Sequence, residues 1–327
     1  MKYVYILTSS KTDLYYEQFF LSATSLRLYN PDAYIVALVD KKTKAELNGT
    51  RIGYEKIVSE TIVVDVPAEF SQKEASRWIK TSITGYVIGD FLFIDCDTII
   101  TGKLKDDFSP DIKIGAVPDC HVPLSKHHLR EYFQQEDVQT GFYSSMKNDF
   151  RYNGGLIYCN GSAEALLFFD KWHSLWQESR NKGNSQDMPA LNQANYVLGN
   201  AITELGGEWN CQISHNGLPF LYDAKIIHYY ATSLIAFDHP YMLASEAVLL
   251  SIKESGSISP EIMGLLKNPK SAFSVKTRII ADKTALAVLE SAFFSKLLWL
   301  RRNHEHTFNN LNALVASMKK PKRKKNV

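Results

Sequence analysis

Five short apolar runs, separated by stretches with helical periodicity, constrain the fold of this chain more than any other feature. The runs cover residues 3–7, 33–39, 56–66, 91–94 and 114–117, and each has the length of a buried strand. Residues 15–29 repeat apolar side chains at helical spacing and stop at Asn30-Pro31, and residues 74–88 form a second such stretch closed near Gly89. Strand alternating with helix is the βαβ pattern, which predicts an α/β fold with a mixed, mainly parallel sheet covered by helices. Further on, residues 119–148 read as helix and loop, 154–160 as a strand, 163 to about 176 as a helix, 180–186 as a polar loop and 187–198 as a helix. Beyond Phe237 the strand signal fades, and 241–252, 260–266 and 286–302 look helical. The expected organisation is therefore a catalytic-sized α/β domain over 1–237, a helical region over 238–318 and a tail over 319–327, without internal repeats.

Composition agrees with a chain that buries a sizeable core. Of 327 residues, 45% are hydrophobic and 22% charged, the balance of an ordinary globular domain. The formal net charge of +2 hides an asymmetry. Lys319, Lys320, Lys322, Arg323, Lys324 and Lys325 place six of the 37 basic residues in the last nine positions, leaving 31 basic against 35 acidic residues elsewhere. A mildly acidic body has no electrostatic footprint for nucleic acid. Cys96, Cys120, Cys159 and Cys211 form no C-x-x-C pair and no zinc-type spacing with histidine, so reduced thiols in a cytoplasmic protein are expected. The apolar run at the start is too short for a signal peptide, and nothing in the sequence is long and apolar enough to span a membrane.

The run Phe91-Leu92-Phe93-Ile94 ends in Asp95-Cys96-Asp97. In extended backbone, residues i and i+2 point to the same face, so the two carboxylates share a side. They repel each other unless a cation neutralises them. Ligands of open α/β sheets bind at the carboxyl ends of the strands, which is where this pair lies. Oxygen ligands suit Mg²⁺ or Mn²⁺, ions that in turn bind phosphate. A second apolar run, Ile226-Ile227, ends in His228, and an imidazole added to two carboxylates favours Mn²⁺ over Mg²⁺.

These residues, with Asn153-Gly154-Gly155-Leu156 and Asp187-Met188-Pro189-Ala190-Leu191-Asn192 between them, occur in an order that resembles glycosyltransferase family 8, which includes bacterial lipopolysaccharide galactosyl- and glucosyltransferases and glycogenin. The resemblance covers roughly residues 2–230. It implies a GT-A fold and a retaining hexosyltransferase that moves galactose or glucose from a UDP-sugar to a glycan or glycolipid acceptor, in lipopolysaccharide or other surface-glycan synthesis. By the same resemblance Asp95, Asp97 and His228 are metal ligands, and Asp95 also lies near the donor ribose. Thr8 and Tyr15 match the nucleoside-binding region after the first strand, and either Arg77 or Lys80 matches a basic residue that neutralises phosphate or orients Asp95. Asp119 and Asn153 match positions touching the transferred sugar. Asp187 matches a carboxylate holding sugar hydroxyls, with Asn192 in support. Simpler roles compete at several of these positions: a helix cap for Thr8 or Asp187, a surface ion pair for Arg77 or Lys80, and a plain turn for Asn153-Gly154-Gly155.

The chain also departs from the family pattern. Met188 and Pro189 stand where family members often carry Gln and Asp, and Ala231-Thr232-Ser233-Leu234-Ile235 replaces a G-x-x-K-P-W segment whose lysine grips the diphosphate. Without an amide at 188, same-face transfer through an ion-paired, oxocarbenium-like state is the natural mechanism, with a covalent role for Asp187 as the alternative. Two other functions compete: a non-catalytic nucleotide-sugar binder, and a nucleotidyltransferase that makes sugar nucleotides. The second usually needs a Gly-rich loop after the first strand, and Thr8-Ser9-Ser10-Lys11-Thr12-Asp13 has no glycine. The aromatic and cationic stretch 293–302, with the basic tail, gives an expectation of peripheral contact with the cytoplasmic face of an anionic membrane.

Overall fold

The computed structural model describes residues 1–104, 108–230, 239–275, 277, 283–289 and 291–318, which fall into two units, Met1–Val275 and Lys276–Val327. The strands are β1 (Lys2–Leu7), β2 (Tyr34–Asp40), β3 (Glu60–Val64), β4 (Phe91–Ile94), β5 (Thr98–Ile100), β6 (Ile114–Pro118), β7 (Tyr152–Cys159), β8 (Ile202–Glu204), β9 (Cys211–Gln212) and β10 (Ile226–His228). The helices of the first unit are α1 (Tyr15–Tyr29), α2 (Lys41–Glu46), α3 (Gln72–Thr81), α4 (Arg130–Thr140), α5 (Ser144–Lys147), α6 (Ala163–Asn181), α7 (Met188–Val197), α8 (Glu246–Ser255) and α9 (Pro260–Leu266).

Seven strands form one sheet in the order β3-β2-β1-β4-β7-β6-β8. All neighbours pair in parallel except around β7, which runs antiparallel to β4 and β6. The sheet is thus mixed and mainly parallel, as the βαβ pattern predicts. Its strands are apolar on both faces because both faces are covered. One core layer joins Tyr5, Leu7, Phe19 and Leu26 to Leu92 and Ile94, and the other joins Val4, Ile6 and Phe93 to Ile79, Phe168, Trp172 and Leu191. A small second sheet, β5-β10-β9, lies against the D-C-D turn. Its antiparallel register pairs His228 with Thr98, which carries a residue from far along the chain to the end of β4.

Several boundaries move. β3 starts at Glu60 because Gly49–Lys56 is taken up by a 3-10 turn. α3 starts at Gln72, where Ser71 and Glu74 form a reciprocal capping box, and ends at Thr81. α6 continues to Asn181, so Arg180 lies in a helix and not in a loop, where it meets Glu74 at 2.6 Å. Residues 241–272 bury Tyr241, Leu243, Leu249, Ile252 and Leu266 in the same core layer as α1, and the Tyr29 hydroxyl donates to the Leu266 carbonyl at 2.9 Å.

The second unit contains α10 (Lys283–Leu289), α11 (Ala292–Asn303) and α12 (Glu305–Ser317). The helix expected over 286–302 is interrupted: α11 starts afresh behind Ser291, whose hydroxyl caps the Phe294 amide. Phe293, Trp299, Leu314 and Val315 on these helices are exposed. Among the described residues, no helix is long and apolar enough to cross a membrane. The boundary at 237, the segment 231–235 and the basic residues 319–325 lie outside the described residues. All four cysteines are free thiols.

Candidate active site

The end of β4 and the end of β10 meet at one point. Asp95, Asp97 and His228 bring their ligand atoms to within 4.8 Å of one another. His228 Nε2 lies 3.2 Å from Asp97 Oδ1. On the ring's other side, Nδ1 is 2.9 Å from Asn210 Oδ1. Asn210 spends its amide nitrogen on Asn153, so its oxygen must accept, and His228 Nδ1 must carry the donated hydrogen. That fixes Nε2 as the nitrogen that faces the carboxylates. Burial alone would lower the His228 pKa, but the Asp97 carboxylate outweighs it and raises it. Burial raises Asp95 as well, against the pull of Lys80 and with the push of Asp97. Two carboxylates under mutual strain beside an oriented imidazole fit a hard divalent cation. Cys96, between them, donates from Sγ to the Ile6 carbonyl, and burial pushes its thiol well up, so it stays an unreactive spacer.

The N-G-G segment is a strand and not a turn, and its glycines are required by what faces them. A Cβ on Gly155 would sit 2.4 Å from His228 Cε1 and 3.0 Å from Asp95 Oδ2. A Cβ on Gly154 would sit 3.3 Å from both Asp187 Oδ2 and Lys80 Nζ. β7 therefore passes beneath the carboxylates with no side chain between them.

Asp187 occupies the cap position of α7 but makes no capping hydrogen bond. Its oxygens instead meet Arg77 Nε at 3.0 Å and Lys80 Nζ at 2.9 Å. Burial would raise its pKa, yet the two cations hold it well below the usual carboxylate range. Lys80 is itself buried and also reaches Asp95 Oδ1 at 3.5 Å, so one ammonium links the two carboxylate groups. Both basic residues on α3 are thus at the site, and neither pair is a surface bridge. Asn192 sits one turn beyond Met188 and spends its amide on the Met188 carbonyl and on both backbone groups of Tyr152. It ties α7 to β7 and so places Asp187.

A third group forms behind Asn153. Its Nδ2 donates to Asp119 Oδ1 at 3.0 Å, and its Oδ1 accepts from the Gly155 amide and from Asn210. Asp119 also accepts from Tyr230 and contacts His127 Nε2 at 3.2 Å. Burial pushes Asp119 up, but the hydrogen bonds to His127 and Asn153, with the Arg151 charge, hold it at about 2. The chain turns here through Cys120 and His121, both at φ 55, a left-handed conformation that ordinary side chains rarely adopt. Gln212 pins this turn by accepting from the Cys120 amide and donating to the Pro118 carbonyl. Asn210, Gln212 and Tyr230 are missed by the sequence reading. The polar residues around Cys211 and the tyrosine two places after His228 are the only signals, and neither has a motif.

In front of the carboxylates lies a cavity of about 530 Å³, lined by Thr8, Tyr15, Gln18, Arg77, Asp95, Asp97 and Gln186 among others. Thr8 is held at its rim by the Gln72 backbone rather than capping a helix, and α1 follows Leu14, with the preceding loop knotted by Asp13. Of the residues expected at the site, Lys80, Asp119, Asn153, Asp187, Asn192 and His228 are not among those lining this cavity.

The sheet order, the reversed β7 and the carboxylate turn after β4 define the GT-A class of α/β fold. No family model and no curated protein matches the sequence. Among solved structures, the galactosyltransferase LgtC in complex with donor and acceptor sugar analogues superposes with a TM-score of 0.51 at 16% identity, over 81% of this chain and 99% of that one. An active-site mutant of LgtC gives a TM-score of 0.51 at 14% identity over the same shares, 81% and 99%. GlyE of Streptococcus pneumoniae TIGR4 gives 0.49 at 16% identity, over 85% of this chain and 66% of that one. This chain is therefore similar in fold to the two LgtC structures.

Proposed function

We propose that this protein is a metal-dependent, retaining glycosyltransferase that moves a hexose from a UDP-sugar to a glycan or glycolipid acceptor. The observation that carries the proposal is the convergence of Asp95, Asp97 and His228, with the two carboxylates lining a cavity that also presents Arg77, Thr8 and Tyr15. A GT-A fold and the ordered motifs resembling family 8 support the same reading. Asp95, Asp97 and His228 would hold Mn²⁺ or Mg²⁺, which when bound acts as a Lewis acid toward the leaving diphosphate.

The protein's own residues orient and neutralise. Arg77 presents a guanidinium to the cavity next to the carboxylates, where a diphosphate brings negative charge. Asp187 is clamped by two cations, which makes it an oriented hydrogen-bond acceptor for sugar hydroxyls and a poor nucleophile. With Met188 beside it offering no amide, same-face departure and attack is the mechanism these residues serve, the leaving phosphate oxygen taking the acceptor's proton. Asp119 and Asn153 stand behind the Gly155 strand and act by fixing His228 through Asn210.

The test is to incubate the purified protein with Mn²⁺ and a panel of UDP- and GDP-sugars and to quantify nucleoside diphosphate release. Mn²⁺-dependent UDP release from one sugar, lost in Asp97→Ala, is the expected result. No release, together with no UDP binding by calorimetry in the presence of Mn²⁺, refutes the proposal.

A further inference from the structure

Gln18 lies on α1, one turn beyond Tyr15, and is only 1% exposed. Its side-chain amide nitrogen is buried and has no hydrogen-bond partner among the described residues. Yet Gln18 lines the cavity, whose wall also includes the apolar Ile6 and Leu7. A buried amide without a partner carries a desolvation cost that a folded protein rarely keeps without use. Of the lining groups, Arg77 and the carboxylates suit phosphates and metal. Ile6, Leu7 and Gln18 add apolar wall and one neutral group with a donor and an acceptor next to each other, which suits a flat heterocycle with a carbonyl beside a ring N–H.

We propose that Gln18 is the residue that reads the base of the nucleotide donor: its amide nitrogen donates to a uracil carbonyl, and its amide oxygen accepts the adjacent ring N–H. This rests on the donor-site reading above.

The test is a cycle between protein and ligand, with UDP and Mn²⁺ binding measured by calorimetry. Gln18→Leu keeps the volume and removes the amide. It is expected to weaken UDP binding about tenfold to a hundredfold, as loss of a dedicated polar contact does. N3-methyl-UDP, which lacks the ring N–H, should bind the wild-type protein more weakly and show no further loss on Gln18→Leu, because the bond it lacks is one of the two that Gln18→Leu removes. 2′-Deoxy-UDP should be penalised equally on both proteins. The ligand-free melting temperature of Gln18→Leu should stay level or rise, since the amide has no partner to lose; a purely structural glutamine would give a fall. Gln18→Asn, which keeps the amide on a shorter stem, should weaken UDP without lowering that temperature. UDP affinity unchanged in Gln18→Leu, or losses that multiply instead of overlapping, overturns the assignment while leaving the donor site standing. Wild-type protein that binds no nucleoside diphosphate overturns both.

Discussion

Gly155→Ala tests the site geometry with one methyl group. The glycine's φ is not in the left-handed region, so the alanine backbone is allowed and the effect is steric. Non-bonded carbons rest about 3.5–4.0 Å apart, so a Cβ at 2.4 Å from His228 Cε1 is roughly 1 Å too close. The ring has little room to yield. It stacks on Tyr230 with centroids 4.2 Å apart and is held by Asn210 at 2.9 Å and Asp97 at 3.2 Å. Moving β7 instead carries Asp95 with it, because the Asp95 amide donates to the Gly155 carbonyl at 2.8 Å. Overpacking of this kind costs about 1–3 kcal/mol, and the lower chain entropy of unfolded alanine returns about 0.4–1 kcal/mol. The net is a loss of about 1–2 kcal/mol, which for a unit of this size lowers the melting temperature by roughly 2–6 °C. Displacement of an orienting ligand should also weaken Mn²⁺ binding about tenfold or more. Thermal melts without metal and a Mn²⁺ titration read the two effects separately. Gly154→Ala is the comparison: its nearest neighbours, at 3.3 Å, are the ends of longer side chains, so its effect should be smaller on both readouts. A Gly155→Ala protein with wild-type melting temperature and wild-type Mn²⁺ affinity refutes the reasoning.

Three further outcomes are expected. Lys80→Met leaves the buried Asp187 with Arg77 alone and removes the ammonium near Asp95; breaking such a buried pair should cost about 3 kcal/mol, read as a lower urea midpoint, and an unchanged midpoint refutes it. Burial lowers His121 to about 4 from an ordinary 6.5, so the folded protein keeps it neutral where the unfolded chain is protonated. Its contribution is full above pH 6.5 and is lost as pH falls toward 4; on the order of 2 kcal/mol of acid destabilisation should therefore disappear from the urea-midpoint profile of His121→Asn, and an identical profile contradicts the assignment. Deleting residues 319–327 should move the protein from vesicles containing anionic lipid to the supernatant in a sedimentation assay, at about 1 kcal/mol per basic residue removed, and unchanged partition excludes membrane contact through this tail.

Local chemistry determined much of this molecule in one dimension. The apolar runs at 3–7, 91–94 and 114–117 are strands because nothing else buries runs of that length, and the parallel pairing of β1 with β2 and β4 follows from the helices between them. Asp95 and Asp97 are legible as a pair because extended backbone puts i and i+2 on one face. Other features depend on contacts that no local pattern encodes. The register of β10 against β5 carries His228 to Asp97. The absence of a side chain at Gly155 lets that ring close on Asp95, and Asn210 orients it from a third segment. Arg77 and Lys80 stand in sequence as alternatives because helical spacing puts both on one side of α3; only the approach of α7 places Asp187 between them, so that both are engaged. Gln18 reads as one more polar residue on α1, and its unpartnered amide nitrogen becomes visible only once the sheet and the D-C-D turn wall off the cavity in front of it. Periodicity and turn chemistry act over a few residues and so can be read from the sequence. The site is made by segments far apart in the chain, and the close packing of β4, β7, β10, α3 and α7 alone decides which of their polar groups meet.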